Sequence, residues 1–237
     1  DPSCSDITGR TIESLVTCGL PADHPAIVRA VEYLLRTQQP EGCWWGRWGC
    51  NYIYGTWQAL GGMSHAGASI DHPAMQRALK WILSVQNPDG GFGESATSYL
   101  DRSLMGQGPS TASQTAWALA CLLYFVPGAH PANKHAAGTL PIDHPAITRA
   151  VQWLCDHQLC EDKPPFEASR CTGVETLDAG TDELAALDFV SDRAGGWSEH
   201  YFTGTGFPKV FYLRYNMYRP YFPVMSLARY VRLSRGR

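Results

Sequence analysis

A sixteen-residue motif that occurs three times constrains the fold of this chain more than any other feature. The copies are DHPAIVRAVEYLLRTQ (23–38), DHPAMQRALKWILSVQ (71–86) and DHPAITRAVQWLCDHQ (143–158), which align without a gap. In each copy an aspartate stands two residues before a proline and helix-forming residues follow, a combination that marks a helix start. Each copy is therefore predicted to form a helix of about four turns.

A turn with glycine and an aromatic residue follows the last glutamine of each copy. It reads PEGCWW after Gln38, PDGGFG after Gln86 and, behind a long insertion, AGGW after Gln158. Between the copies lie four more segments of helical character, at 6–18, 51–63, 110–125 and 209–233. Because consecutive helix pairs stack either into a solenoid or into a closed toroid, we predict an all-α fold of this kind.

The composition predicts one domain and excludes two classes of function. A chain of 237 residues is long enough for one substantial core, so a single domain over 1–237 is expected, with surface insertions at about 127–140 and 159–193. The net charge is −3 and only 17% of the residues are charged, so no basic face for nucleic acid is expected. No apolar run approaches the roughly 18 residues that a membrane-spanning helix needs.

The eight cysteines contain no Cys-x-x-Cys pair, which favours reduced thiols in a cytosolic protein. The alternative is a zinc site. Its ligands would be Cys155, His157, Cys160 and Cys171, whose types suit Zn²⁺ although their spacing is unusual.

The segment 201–222 is the richest in aromatic residues, with nine rings. Phe211, Tyr212, Tyr215 and Tyr218 fall at i, i+1, i+4 and i+7, the spacing of one helical face. Such a stripe more often belongs to a protein core, and the alternative is the wall of a ligand-binding cavity.

The end of each repeat, an aromatic-Leu-x₃-Gln followed by Gly-x-Trp, resembles the QW motif of triterpene cyclases. Four further segments narrow the resemblance to the C-terminal half of squalene-hopene cyclases: PEGCWWGRWGCNYIYGTW (40–57), QNPDGGFGES (86–95), PSTASQTAWAL (109–119) and YFTGTGFPKVFYLRYNMYRPYFP (201–223). The resemblance implies part of a six-pair α/α toroid that cyclises squalene to hopene or hopanol through carbocations, without a metal or an organic cofactor. Aromatic faces suit this chemistry because their quadrupole attracts a cation and does not trap it.

The resemblance also assigns roles to individual residues. It implies that Phe207 and Phe211 face the later cations of the reaction, and that Tyr215 and Tyr218 shape the cavity and steady the earlier ones. Trp48 corresponds to a tryptophan of the substrate cavity, whereas Tyr212 has a weaker assignment and is equally well explained as core. The turn residues correspond to a stiffening shell of the family: Gln38, Gln86, Trp44, Trp45, Phe92 and Trp197.

The proton donor of the family is an aspartate in an Asp-x-Asp-Asp motif, and this sequence contains no such motif. In the family the motif lies N-terminal to the matched region. Asp6, Arg10 and Tyr54 correspond to residues around that acid, and Arg10 falls where some members have a histidine. The alternative for Arg10 is an ordinary surface arginine. We therefore expect the acid to come from an N-terminal cyclase portion, and the chain alone to be inactive.

Two other functions remain open from the sequence. The first is a non-catalytic isoprenoid-binding or scaffold protein, and the second is a prenyltransferase β subunit, which would need zinc ligands. The resemblance also implies a cytoplasmic protein bound peripherally to a membrane surface, and a homodimer is a further possible assembly. Four C-terminal arginines would suit anionic lipid, or simply a solvated helix end: Arg229, Arg232, Arg235 and Arg237.

Overall fold

The computed structural model describes residues 2–129, 138–160 and 195–236, and helices dominate these ranges. They are α1 (Ser5–Thr17), α2 (Pro25–Thr37), α3 (Tyr52–His65), α4 (Pro73–Ser84), α5 (Ala112–Leu123), α6 (Pro145–Asp156) and α7 (Tyr218–Arg235). Two short 3₁₀ turns, Ala96–Tyr99 and Arg102–Leu104, and two strands, β1 (Gly204–Phe207) and β2 (Phe211–Leu213), complete them. The predicted all-α class is confirmed, and most of the two predicted insertions lies outside the described residues.

The three copies of the motif form α2, α4 and α6. In each copy the histidine caps the helix: Nδ1 of His24, His72 and His144 accepts the N–H two residues further on, at 3.2, 3.1 and 3.2 Å. The proline then occupies the first helical position, where its missing N–H costs nothing. The residue that starts each helix is thus the histidine of the motif.

The other four helices form the inner layer of the fold. α3 packs against α1 and α5, and α5 packs against α7. Every residue of α5 is buried, and only His65 of α3 is not. Because α2, α4 and α6 are amphipathic and pack on the outside of this layer, the helices alternate between inner and outer positions, as expected for part of an α/α toroid.

The glutamines at the ends of α2 and α4 tie each of these helices to the next outer one. Nε2 of Gln38 donates to the carbonyls of Gly42 and Ala74, both at 2.8 Å, and Ala74 lies in the first turn of α4. Gln86 makes the same pair of bonds one repeat later, at 2.9 Å each. The turn glycines Gly42 and Gly90 have φ values of 106° and 93°, a left-handed conformation that favours glycine.

The aromatic residue of each turn is buried beneath the outer helix. Trp44, Phe92 and Trp197 are 0, 0 and 2% exposed. The indole N–H of Trp44 donates to the Leu34 carbonyl at 2.7 Å, and Trp197 makes the equivalent bond with α6. Trp45 is instead half-buried, so the ring of the first turn that corresponds to the other two is Trp44.

The predicted helix at 209–233 is wrong in its first part. Residues 204–213 form an antiparallel hairpin in which Thr205 pairs with Tyr212 and Phe207 with Phe211. Lys209, at φ 70°, makes the turn, and the helix begins only at Tyr218. The periodic aromatic stripe is therefore divided between a strand, the segment that follows it and a helix, because pairing of β1 with a distant loop outweighs local helical spacing.

Two negative findings apply to the described residues. No helix among them is both long enough and apolar enough to cross a bilayer. They also contain no group of three or more His, Cys, Asp or Glu side chains placed to hold a metal ion, and the seven cysteines within these ranges are free thiols. The fourth residue of the alternative zinc site, Cys171, lies outside the described ranges.

Candidate functional site

Residues 46–50, called the Trp48 loop below, lie beside strand β1. Gly49 forms an antiparallel bridge with Gly204, and the N–H of Cys50 donates to the Thr203 carbonyl at 2.8 Å. The loop leads directly into the inner helix α3. Two segments more than 150 residues apart in sequence thus form one continuous backbone surface.

Asp6 holds the Trp48 loop from the side of α1. Its carboxylate is fully buried, and Oδ2 accepts the backbone N–H groups of Arg47 and Trp48, both at 2.8 Å. Oδ1 accepts the N–H of Ile7 at 3.0 Å. Both oxygens are therefore bound by backbone donors, so Asp6 is a positioning residue for Trp48.

Tyr99 and Asn51 hold the same loop from the opposite side. The buried Tyr99 hydroxyl lies 2.7 Å from the carbonyl oxygens of Gly46 and Gly49, and Oδ1 of Asn51 accepts the Gly46 N–H at 3.2 Å. Tyr212 stacks on Tyr99 with ring centres 5.8 Å apart. The core interpretation of Tyr212 agrees with this contact.

Three aromatic rings lie directly on glycine backbone in this surface. A Cβ added to any of the three glycines would come closer to the ring than real contacts allow. The added Cβ would lie 2.5 Å from the nearest ring atom for Gly49 beneath Tyr54, 2.5 Å for Gly204 beneath Tyr215 and 2.1 Å for Gly206 beneath Phe211. The glycines thus set the height and orientation of the rings above the backbone.

The rings of the site continue into a cluster of buried aromatic residues. Tyr215 and Tyr218 have ring centres 4.6 Å apart, Tyr218 lies 6.0 Å from Trp117, and Trp117 lies 4.9 Å from Tyr54. Trp57 lies 6.0 Å from Tyr54 and stacks on Trp117. Trp57 and Trp117 were not among the predicted site residues, although both occur in the segments that carry the resemblance.

Three of the predicted residues are much more exposed than a core residue would be. Phe207, Phe211 and Tyr215 are 50, 44 and 39% exposed, and the rings of Phe207 and Phe211 lie edge-to-face at 5.7 Å. Each of these rings packs against the protein on one side and is exposed on the other. We call Trp48, Phe207, Phe211, Tyr215 and Tyr218 the aromatic wall.

Asp6 and Arg10 lie close enough to Tyr54, beside the aromatic wall, for both charges to act on its hydroxyl. The exposed Arg10 guanidinium lies 5.9 Å from the centre of the Trp57 ring. Burial raises the pKa of Tyr54, Asp6 raises it further, and the charge of Arg10 opposes both. Burial and the neighbouring Tyr215 likewise raise the pKa of Tyr218 to about 12, again opposed by Arg10. Both hydroxyls therefore stay neutral at ordinary pH and can donate hydrogen bonds.

Two buried glutamates cap the inner helices behind this surface. Glu94 accepts the Ile53 N–H of α3 at 2.9 Å, and Glu199 accepts the Ser113 N–H of α5 at 2.7 Å. Glu199 also accepts the Thr203 hydroxyl at 2.9 Å, which fixes the start of the hairpin. Neither glutamate was among the predicted site residues. The sequence feature that could have identified them is a repeated spacing, since each glutamate stands two residues after the buried aromatic residue of its turn.

Glu199→Gln is expected to weaken the dependence of stability on pH. Burial raises the pKa of Glu199 above its ordinary value of 4.5, so the native state holds this proton more tightly than the unfolded chain. The free energy of unfolding should therefore fall as pH rises above the unfolded pKa, until the native carboxyl has ionised. Glutamine removes the contribution of Glu199 to this decrease, leaves that of Glu94, whose pKa burial also raises, and keeps a carbonyl acceptor for Ser113.

The prediction is tested by urea unfolding at several pH values between 4.5 and 8. The exposed Glu32→Gln is the matched control and should keep the wild-type profile. Parallel profiles for wild type and Glu199→Gln would contradict the prediction.

The sequence is similar to a family of known cyclases over nearly its whole length. The family model for the squalene-hopene cyclase C-terminal domain matches residues 1–135 and 170–232. The squalene-hopene cyclase of Alicyclobacillus acidocaldarius is 42% identical over 230 residues, which is 97% of this chain and 29% of that protein. The corresponding enzymes of Bradyrhizobium diazoefficiens and Zymomonas mobilis are 39 and 37% identical, over 97 and 100% of this chain and 28 and 29% of their own lengths.

The chain thus spans less than a third of the length of these curated relatives, and it matches their C-terminal part. The match includes the Trp48 loop, the hairpin and the helices that hold them. The chain therefore belongs to the squalene-hopene cyclase C-terminal domain family.

Proposed function

We propose that this chain supplies one wall of the cavity in which a triterpene cyclase folds squalene or a related isoprenoid and guides its cyclisation to pentacyclic products. The observation that carries the proposal is the aromatic wall itself. Phe211 and Tyr215 lie against glycine backbone, and Phe207 and Tyr218 pack against these two rings. Three of the five rings of the wall are between 39 and 50% exposed. Fixed rings that face open space suit a substrate with long apolar chains and a moving positive charge.

The proposed reaction needs an acid strong enough to protonate an alkene, and the sequence has no Asp-x-Asp-Asp motif to provide it. Asp6 does not replace it, because its carboxylate is occupied by three backbone N–H groups. We propose that the acid belongs to an N-terminal cyclase portion and docks at the end of the wall where Arg10 and Tyr54 lie. Arg10 would favour the ionised form of that carboxyl, and the neutral Tyr54 hydroxyl would donate to it.

A peripheral position on a cytoplasmic membrane surface fits this proposal, since squalene is an apolar substrate. The C-terminal arginines differ in how well they suit such a role. Arg229 is half-buried, with its guanidinium carbon 4.0 Å from the Tyr124 ring centre, whereas Arg232 and Arg235 are exposed. We therefore propose that Arg232 and Arg235 bind anionic lipid.

The proposed function is tested by supplying squalene to the chain alone and to the chain mixed with the N-terminal part of the Alicyclobacillus enzyme. Products are identified by gas chromatography and mass spectrometry. Pentacyclic products are expected only from the mixture. If the mixture forms a stable complex that retains squalene without cyclising it, the chain is instead a non-catalytic isoprenoid-binding protein. Stoichiometric zinc in the purified chain would indicate the prenyltransferase alternative.

A further inference from the structure

Gln114 is a buried residue in the first turn of α5 whose side-chain amide reaches two other segments of the chain. Only 1% of the residue is exposed. Nε2 donates to the carbonyls of Cys50 and Glu94, both at 2.9 Å. Oε1 accepts the N–H of Glu94 and the hydroxyl of Thr111, both at 3.0 Å. Both donors and both acceptor positions of the amide are therefore in use.

Capping of α5 does not account for these contacts. Thr111 and Gln114 have the spacing of a capping box, in which the glutamine side chain returns to the N–H of the cap residue. The Thr111 hydroxyl does accept the Gln114 N–H, at 3.2 Å. The Thr111 N–H, however, donates to the Phe92 carbonyl at 3.0 Å. Both N–H donors of the Gln114 side chain are thus used outside its own helix.

Gln114 holds the end of the Trp48 loop in two ways. Directly, it binds the carbonyl of Cys50, the last residue of the loop. Indirectly, its paired bonds with the backbone of Glu94 fix a residue whose carboxylate accepts two N–H groups at the start of α3. These are the N–H groups of Asn51 at 3.3 Å and Ile53 at 2.9 Å. The end of the loop and the helix that follows it are therefore both anchored to α5 through one side chain.

We propose that Gln114 is a positioning residue of the aromatic wall, which fixes the Trp48 loop and the adjoining hairpin on the inner helices. The inference rests on the proposed function and refines it. The loop carries Trp48, and its residue Cys50 binds the Thr203 carbonyl next to the hairpin. Since a cation–π contact requires a ring within about 6 Å of the cation, a wall that shifts loses the contact during the reaction. The substrate then leaves with fewer rings closed.

The first test measures hydrogen exchange in the 237-residue chain and needs no turnover. Gln114→Met keeps the length of the side chain and removes all of its hydrogen bonds. We expect the protection of the Trp48 and Cys50 amides to fall about tenfold more than that of amides in α6 such as Ala150, because the loop is released locally. The matched control is Gln58→Met, the same change at a glutamine that is 2% exposed and whose Nε2 has no hydrogen-bond partner among the described residues. It should show no selective loss at the loop.

Two further measurements separate anchoring of the loop from general stability. Thr111→Val removes the hydroxyl that caps α5 and leaves both donors of the Gln114 amide in place, so it should lower stability without the selective loss at the loop. In the wild-type chain the side-chain NH₂ protons of Gln114 should be protected from exchange, a measurement that requires no variant to fold. Equal losses of protection at the loop and in α6 for Gln114→Met, or rapid exchange of the wild-type Gln114 NH₂ protons, would overturn the proposal.

The second test uses the chain reconstituted with the acid-bearing N-terminal part. Gln114→Met is expected to lower the rate of squalene cyclisation about tenfold and to raise the share of incompletely cyclised products. Gln58→Met and Thr111→Val should keep the wild-type product ratio. An unchanged product ratio in Gln114→Met would also overturn the proposal. If the wild-type mixture itself forms no cyclised product, the proposed function fails, while the exchange measurements still decide whether Gln114 anchors the loop.

Discussion

Replacing Asp6 with alanine is expected to lower the free energy of unfolding by about 3–5 kcal/mol, because three backbone donors lose a fully buried, charged acceptor. The carboxylate accepts the N–H groups of Ile7, Arg47 and Trp48, and none of its surface is exposed. The donor residues are only partly buried, but the carboxylate that accepts from them lies wholly inside the protein, between α1 and the Trp48 loop. The loss should therefore loosen the loop that carries Trp48 as well as the packing of α1.

A graded series separates this effect from a general loss of charge. Asp6→Asn keeps one acceptor oxygen and should cost about half as much as Asp6→Ala. Glu32→Ala removes an exposed carboxylate from α2 and should leave the unfolding midpoint unchanged. Stabilities are measured by urea unfolding followed by circular dichroism. A loss below about 1 kcal/mol for Asp6→Ala would mean that the loop does not depend on this carboxylate.

Gly9→Ala is expected to destabilise the chain by about 3 kcal/mol, at the upper end of overpacking effects. A Cβ at this position would lie 2.1 Å from the carbonyl oxygen of Gln58 in α3, a backbone atom that cannot turn aside. On the facing helix a Cβ at Gly62 would lie 2.7 Å from the Cα of Gly9. The backbones of α1 and α3 are thus in direct contact, and one added methyl group must force them apart.

Thr11→Ala is the matched control, since Thr11 is exposed on the same helix and alanine is the better helix former. It should leave stability unchanged or slightly increased. Because α1 also carries Asp6, Gly9→Ala should reduce the near-ultraviolet circular dichroism signal of the tryptophans. A stability equal to that of the wild type would show that α1 and α3 can separate at little cost.

The repeated helices were predictable because the signals that form them are local. The cap at His24, His72 and His144 reaches only two residues along the chain, and the proline that follows fixes the first turn. The hydrogen bond from Gln38 to the next outer helix could be predicted only from the family resemblance. It spans 36 residues, and nothing in the composition of the repeat alone indicates it.

The hairpin was not predictable from local spacing. Rings at i, i+1, i+4 and i+7 fit a helix, and the decisive contacts are those of β1 with the Trp48 loop. Their sequence separation of more than 150 residues leaves no periodic trace in the segment itself. Sequence patterns of this kind report local preference, and tertiary pairing overrides it.

The site was predictable to different degrees. The family resemblance identified all eight predicted site residues. Those in the Trp48 loop, the hairpin and α7 lie close together around the paired residues Gly49 and Gly204. The engagement of Asp6 by backbone N–H groups and the contacts of the Arg47 guanidinium with the Trp48 and Phe207 rings had no sequence signal. Both depend on where a loop and a strand meet after folding.

The central claim is that the aromatic wall stabilises a carbocation through its ring faces, and fluorination of Phe211 tests it most directly. Mono-, di- and trifluorophenylalanine at this position weaken the ring quadrupole in steps and hardly change the ring's size. The rate of squalene cyclisation is measured in the chain reconstituted with the acid-bearing N-terminal part, with the same series at the buried Phe125 as the control. We predict that the logarithm of the rate falls linearly with each fluorine at Phe211, by about tenfold over the series, and not at Phe125. A rate that is independent of fluorination at Phe211 would contradict the claim.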